Sequence, residues 1–295
     1  MLPKGFPARW LGIIAVLPAI LFAPQKPEQN EFFYTLLDAG QGMASVVQTQ
    51  NHTLIYDTGK RVSESYDLGR LVVVPFLKSK GLNRVDMLMV SHEDNDHSGG
   101  AKTILESVTV DSIQSSDLSI LPDHKITFCK AGEQWQWDGV DFEVLSPSAD
   151  WLENNEQHND NNLSCVLRVS NKTHSLLLTG DIEKQAENLL LTKHKEKLAS
   201  DVIIVPHHGS KTSSTEKFIK ATNPSIALIP AGYRNRFGHP KSTVLSRYIN
   251  KNIKVMDTVE YGALELKFFD NSVNDDNNNI EIKSWRKENS GFWSR

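Results

Sequence analysis

Hydrophobic positions along the chain alternate between two spacings. Runs of β-branched, aliphatic and aromatic residues at 32–37, 44–49, 53–56 and 85–90 have the length and composition of strands. Residues 68–80 and 101–108 instead space their apolar side chains as helices do, and Gly81 closes the first of these. Asp38-Ala39-Gly40-Gln41-Gly42 and Asn51-His52 separate the first three strands, so the chain opens as an antiparallel meander. The same order returns in the second half. Residues 133–137 and 140–145 flank Asp138-Gly139, a type I′ hairpin signal, and 163–169 with 174–178 flank Ser170-Asn171-Lys172. A helix is expected at 182–197, buried strands at 201–205 and 225–229, a helix at 243–250 and closing strands at 253–256 and 263–269. Polar, Asn-rich stretches at 151–162 and 270–279 read as loops. The pattern predicts an α/β fold with no solenoid repeat.

The amino-terminal pattern differs. Residues 10–24 are apolar and nearly uncharged, follow Lys4 and Arg9, and precede a polar run at 25–31. About fifteen residues is short against the roughly twenty that span a bilayer, and Pro18 interrupts them. A secretory signal fits the length, but Leu21-Phe22-Ala23 before Pro24 is not a small-x-small cleavage site. The expectation is an uncleaved anchor in the cell membrane, its basic side cytoplasmic and the large domain extracytoplasmic. The expected organisation is a membrane segment and linker at 1–29, one globular domain at 30–270 and a polar tail at 271–295.

With 295 residues and 39% hydrophobic content the chain can bury a large core. A net charge of −4 gives no general basic field, so a polyanion would have to be met by local patches and metal ions. Cys129 and Cys165 have no metal-ligand spacing. They are expected as two semi-buried thiols, with a disulfide open to them in an oxidising compartment.

Candidate chemistry concentrates in Ser91-His92-Glu93-Asp94-Asn95-Asp96-His97-Ser98-Gly99-Gly100, between the strand at 85–90 and the helix at 101–108. Two imidazoles and three carboxylates within six residues repel one another unless a cation is shared among them. His92, Asp94 and Asp96 alternate and can converge, with His97 turned to a second position, which suits one or two divalent metals. A solvated acidic turn is the plainer reading. A calcium-binding EF-hand loop starting at Asp94 fails, because its twelfth position is Leu105 rather than Glu.

Further groups follow at other strand ends. Asp57 either orients the metal loop or caps a turn. Asp181, after Leu178-Thr179-Gly180, is either a bridging ligand or a helix cap. Pro206-His207-His208-Gly209-Ser210-Lys211 offers a metal ligand beside an anion cradle. Asn161 or Asn162, and less so His158, stand at a strand entrance within reach of a shared site. Arg234 and Arg236 are candidates for phosphate, and His239 for proton donation.

His92-x-Asp94-x-Asp96-His97, then Thr179-Gly180-Asp181, then Pro206-His207-His208-Gly209-Ser210, in that order and each at a strand end, resembles the metallo-β-lactamase superfamily. Leu37-Asp38-Ala39-Gly40-Gln41-Gly42, Asp57-Thr58-Gly59, Asn161-Asn162-x-Ser164 and Asn235-Arg236-Phe237-Gly238-His239-Pro240 make it more similar to the carboxy-terminal domain of ComEC-type DNA-internalisation competence proteins. The resemblance covers residues 32–269, and residues 2–24 look like the end of that family's last membrane helix. It implies a four-layer αββα sandwich with the metal site at one edge. His92, Asp94 and Asp181 would hold one metal, and Asp96, His97, Asp181 and His208 the other. The superfamily pattern has histidine where Asp94 stands and another near Asn161. Oxygen donors there favour manganese, with zinc or magnesium as alternatives. Met43 stands where the family usually has an acid and Lys241 where it commonly has histidine; both departures fall near the expected substrate face.

The implied activity is that of a metal-dependent phosphodiesterase degrading one DNA strand as the other is taken up. His207 and His239 would be the catalytic proton carriers, and Asp96 is assigned to the catalytic set as well as the ligands. Ser210, Lys211, Arg234, Arg236 and Asn161 would bind substrate. The expected partners are single-stranded DNA and the membrane. DNA-uptake channel or receptor subunits are counted among the expected partners, as what a docking module would bind. The alternatives are a lactam, lactone or ester hydrolase on the same scaffold, and a non-catalytic docking module.

Overall fold

A computed structural model describes residues 24–148, 160–270 and 280–288. The first sheet takes β1 (Phe32–Leu36), β2 (Ala44–Gln48), β3 (Thr53–Thr58), β4 (Arg84–Val90), β5 (Thr109–Ser115) and β6 (Thr127–Phe128). The second takes β7 (Gln134–Trp137), β8 (Val140–Ser146), β9 (Val166–Ser170), β10 (Ser175–Leu178), β11 (Val202–Ile204), β12 (Ile226–Ile229) and β13 (Lys254–Asp257). The chain then crosses back, and β14 (Leu264–Phe268) and β15 (Glu281–Ser284) extend the first sheet beside β1. Each half passes from an antiparallel meander into parallel strands: β3 runs parallel to β4 and β4 to β5, and β10 runs parallel to β11 and β11 to β12.

Three apolar layers hold four structural layers together. Tyr34, Leu54, Tyr56 and Met89 of the first sheet meet Phe142, Leu167, Leu176 and Ile204 of the second. Outside the first sheet, Val46, Ile55, Leu88 and Val90 pack on α1 (Val74–Ser79) and, beyond α2 (Asn95–Ser98), on α3 (Ala101–Ser107). Outside the second, Leu177, Ile203 and Ala227 pack on α4 (Lys184–Lys193), α5 (Glu216–Thr222) and α6 (Ser242–Ile249). Strands buried on both faces carry continuous apolar runs rather than alternation. In β4, Met87 and Met89 enter the inter-sheet layer while Leu88 and Val90 face the helices. The arrangement is the expected αββα sandwich.

Local differences have physical causes. The helix expected at 68–80 is a π-helical stretch, Gly69–Val73, that resets into α1. Pro75 lacks an N–H and clashes with the carbonyl four residues back, so one regular helix cannot run through it. The expected tail contains β15, which pairs with β14 and turns Ile282 toward the inter-sheet core. Among the described residues no helix is long and apolar enough to cross a membrane. The expected anchor, apart from Pro24, lies outside the described residues, as does His158.

The cysteines are paired, not free. Cys129, after β6, and Cys165, before β9, form a disulfide with Cα atoms 6.0 Å apart, and both are wholly buried between the sheets. Spacing along the chain carried no sign of this, because sheet packing brings the two together. Replacing both by alanine frees a loop with a sequence separation of 36, and the chain-entropy estimate for that length is a loss of about 4 kcal/mol. Urea unfolding of the double variant should show a lowered midpoint with the native circular dichroism retained.

Candidate metal centre

Every histidine and carboxylate of the cluster projects from the carboxyl end of a strand that has a parallel neighbour. Asp57 lies in β3, His92 to His97 follow β4, Asp181 follows β10 and His208 follows β11. Carboxyl ends of parallel strands form the natural crevice of such sheets. Sheet packing opposes the two crevices: His97 Nε2 lies 3.1 Å from Asp181 Oδ1 and 3.2 Å from His208 Nε2. His208 Nε2 is 3.4 Å from Asp96 Oδ2 and 3.5 Å from Asp181 Oδ2. His92, His97 and Asp181 form one close donor group, and Asp96, His97 and His208 another.

The far nitrogens of the three rings are already committed. His97 Nδ1 donates to Asp57 Oδ2 at 2.7 Å, and His208 Nδ1 donates to the Pro230 carbonyl at 2.8 Å. His92 Nδ1 meets the Ser91 hydroxyl at 2.9 Å. Asp57, wholly buried, also accepts from Ser91 N at 2.6 Å and Ser91 Oγ at 2.9 Å, so one carboxylate fixes both the loop backbone and a ring. Each Nε2 is thereby turned into the shared space, the arrangement by which outer hydrogen bonds orient metal-binding histidines. Of Asp57's two expected roles, the geometry gives it the orienting one.

The backbone is shaped to this end. Asp57, His207 and His208 have positive φ values of 59°, 51° and 52°, a region L-residues seldom enter. Gly42 has φ 132°, and a Cβ there would stand 2.4 Å from the Asp96 carbonyl. A glycine is required where the Leu37 to Gly42 turn passes under the metal loop. Asp181 is not a helix cap. That task falls to Asn162, whose Oδ1 accepts from Glu183 N at 3.0 Å and Ala186 N at 3.2 Å.

The donor set fits a cation. Pro230 O can only accept and Asp57 is a carboxylate, so neutral His97 and His208 carry their protons on Nδ1 and face each other with lone pairs at Nε2. Such a contact is repulsive without a proton or metal between the rings. His92 Nε2 is buried without a hydrogen-bond partner; Asp94 Oδ2 stands 3.4 Å away but outside hydrogen-bond geometry. Burial opposes charge on His97, yet Asp181 and Asp57 outweigh it and hold its pKa well above the usual range. Burial likewise opposes charge on Asp96, but the His208 and His97 rings bring it down to about 2. Asp181 is lowered too, against burial, by His208 and His97.

Other expected groups surround this centre. Asp94 is exposed, and its pKa is lowered chiefly by the His92 ring 3.4 Å away. His207 is half-buried, with Nε2 3.8 Å from Asp181 Oδ2 and Nδ1 3.3 Å from Glu183 Oε1. His239 lies with its ring centroid 5.9 Å from that of His207. Ser210 is buried with Oγ 3.0 Å from Thr212 Oγ1, whereas Lys211, Arg234 and Arg236 are exposed. Asn161 is half-buried, and its carbonyl accepts from Ser164 Oγ at 2.7 Å. Met43 is buried in the inter-sheet core directly beside the metal loop, its N–H donating to the Asp96 carbonyl at 3.0 Å. Lys241 Nζ donates to the Phe237 carbonyl at 2.6 Å.

Sequence reading missed the supports of the His207-His208 loop. Buried Glu187 of α4 accepts from Ser214 N and from Thr215 N, the latter at 2.9 Å, while Arg247 donates to the carbonyls of Ser213 and Ser214. Nothing local distinguishes Glu187 from any helical glutamate. Ser91 was more accessible, being adjacent to a ligand candidate.

A two-sheet sandwich with a His/Asp cluster at its strand ends defines a class of metallohydrolases. The profile of the metallo-beta-lactamase superfamily matches residues 37–233, and the chain belongs to that superfamily. It is homologous to ComEC-type competence proteins: 33% identical over 265 residues to "Competence protein ComA" of Neisseria gonorrhoeae, covering 90% of this chain and 36% of that protein. It is 31% identical over 258 residues to "ComE operon protein 3" of Bacillus subtilis, covering 79% of this chain and 32% of that protein. The chain thus spans about a third of the length of the curated relatives it matches. The metallo-beta-lactamase fold protein YhfI from Bacillus subtilis shares the fold at a TM-score of 0.50 and 13% identity, over 77% of this chain and 96% of that one.

Two outcomes follow. Asp57→Asn keeps the shape but removes the charge that orients His97, and should weaken manganese affinity about 10–100-fold in isothermal titration calorimetry. For the metal-free protein, the raised His97 and His208 contribute stability that is complete below about pH 6.5 and is lost as pH rises through their folded values. Lowered Asp96 and Asp181 contribute stability that is complete above about pH 4 and is lost as pH falls toward about 2. Melting temperature in EDTA should therefore peak between about pH 4 and 6.5, and manganese, which displaces the histidine protons, should lift the alkaline side most.

Proposed function

We propose that this chain is the metal-dependent phosphodiesterase of a competence system, hydrolysing one strand of DNA during uptake. The observation that carries the reading is the opposed cluster of three Nε2 atoms with Asp96 and Asp181, on a chain homologous to proteins named for competence. His92, Asp94 and Asp181 are assigned to one metal, and Asp96, His97, Asp181 and His208 to the other. When bound, the metals supply Lewis-acid activation of water and of phosphoryl oxygens. The oxygen-rich donor set favours manganese over zinc.

Around that centre, His207 is the better placed proton carrier, being flanked by Asp181 and Glu183. Burial first, then His207 and Lys241, bring the pKa of His239 down to about 4, so at neutral pH it accepts rather than donates. Lys211, Arg234 and Arg236 neutralise the phosphate, with Ser210 and Asn161 lining the approach. The buried Cys129–Cys165 disulfide supports placing the domain outside the cytoplasm, where such bonds persist, tethered through the apolar segment at 10–24.

The test is cleavage of end-labelled single-stranded DNA by the full chain in detergent, with manganese, magnesium and zinc compared and a lactam and lactone panel run alongside. Manganese-dependent cleavage is expected. Loss of an outer hydrogen-bond partner costs about 10–100-fold at metal sites, so Asp181→Ala should lower the rate by more than about 100-fold with the circular dichroism unchanged. Near-normal cleavage by that variant would remove the two-metal assignment, and turnover of the lactams alone would replace the substrate.

A further inference from the structure

Residues 231–241, Ala-Gly-Tyr-Arg-Asn-Arg-Phe-Gly-His-Pro-Lys, carry three cations and no acid. Tyr233 is 73% exposed and Phe237 46% exposed, and each has an arginine against its ring: Arg234 lies 5.2 Å from the Tyr233 centroid and Arg236 4.7 Å from that of Phe237. Among the described residues neither guanidinium forms an ion pair. An isolated exposed aromatic is ordinary. Two aromatic–arginine pairs on one short loop beside a reactive centre are a different object.

The loop is built rather than loose. Asn235 closes it internally, its Nδ2 donating to the carbonyls of Gly232 at 3.0 Å and His239 at 2.6 Å while its Oδ1 accepts from His239 N at 3.0 Å. Lys241 ties down the Phe237 carbonyl, and Gly232 N donates to Gln41 Oε1 of the first half at 3.2 Å. A continuous row of rings joins it to the metal centre: His208 to His207 at 6.4 Å, His207 to His239 at 5.9 Å, and His239 to Phe237 at 5.8 Å with the last two rings 11° from parallel. Holding exposed rings in a fixed position settles beforehand the ordering cost that a ligand would otherwise meet.

We infer that Tyr233 and Phe237 form a stacking platform for the unpaired bases of a single-stranded polynucleotide, with Arg234 and Arg236 meeting the flanking phosphates. A π-face paired with a cation repeats the base-and-phosphate unit of such a strand, and stacking accepts any base. A duplex keeps its base faces covered, so the platform selects single strands. This inference rests on the phosphodiesterase reading for its biological use but not for its test.

The full chain in detergent, with EDTA to prevent cleavage, is titrated into a 12-nucleotide single strand containing 2-aminopurine, as DNA and as RNA, and into the matching DNA duplex. Tyr233→Ala and Phe237→Ala should each weaken single-strand binding about 5- to 100-fold and abolish the 2-aminopurine quenching, and Phe237→Trp should restore both. Arg236→Ala should weaken binding and lower its salt dependence, leaving quenching at saturation. Duplex affinity should be the same for wild type and the two aromatic variants. Single-strand affinities within twofold of wild type for both alanine variants, or no binding by wild type, would overturn the platform. Manganese-dependent hydrolysis of bis(4-nitrophenyl) phosphate, which has no base to stack in series, is measured on the same proteins. Stacking-dependent binding without that hydrolysis keeps the platform and removes the phosphodiesterase; hydrolysis with unaltered single-strand affinity does the reverse.

Discussion

The hydrogen bond from His97 Nδ1 to Asp57 is the constraint on which the centre depends. It joins the end of β3 to the loop after β4, and Asp57 also accepts from the Ser91 backbone, so a single carboxylate holds the metal loop at both ends. With Nδ1 fixed, Nε2 of His97 is held against Asp181 and His208, which arrive from the other sheet. The sheets are therefore apposed across a cluster that is unfavourable in itself. Lone pairs and carboxylates at these separations require a positive charge, supplied by protons in the bare protein and by metal in the loaded one.

What prevents the sheets from separating there lies directly beneath. The Tyr56 hydroxyl donates to the Cys165 carbonyl at 2.5 Å, and Cys165 N donates to the Ser91 carbonyl at 2.9 Å. The Cys165 backbone thus holds the residue preceding His92, and the disulfide ties Cys165 in turn to Cys129 after β6. Covalent bond, tyrosine and loop backbone converge within one layer of side chains below the rings. A core of aliphatic contacts alone is non-directional and would not fix a register between sheets so closely.

Most of this architecture was legible from the chain. The two-residue hairpin at Asp138-Gly139, the doubly buried runs and the clusters at strand ends each had a local signature. The superfamily's order of motifs anticipated which loops meet, but not the grouping: among the described residues His97 is common to both close donor groups and Asp94 belongs to neither. Three things were not legible, for one shared reason. The disulfide, Glu187 under the His207-His208 loop, and β15 all depend on partners distant in sequence, and their own residues are ordinary for a surface helix, a loop or a tail. Pro75 was visible, but whether a proline breaks a helix or resets it through a wider turn is decided by the buried Val73, Val74 and Leu77 that must keep facing β4.

The distribution of charge completes the argument from structure to use. The carboxylates Asp57, Asp96 and Asp181 face inward among imidazoles, while Lys211, Arg234 and Arg236 stand exposed at the rim. A negatively charged interior draws divalent cations, and a positive rim draws phosphate, although the chain as a whole carries −4. Surface cations hold a polyanion beside the bare carboxylates, and a filled centre would add its own attraction for phosphate. Divalent metal in the interior would offset those carboxylates, so that rim and centre would act on phosphate together. The exposed rings of Tyr233 and Phe237 stand beside the same two arginines, so a strand held there by its phosphates would present its bases to them.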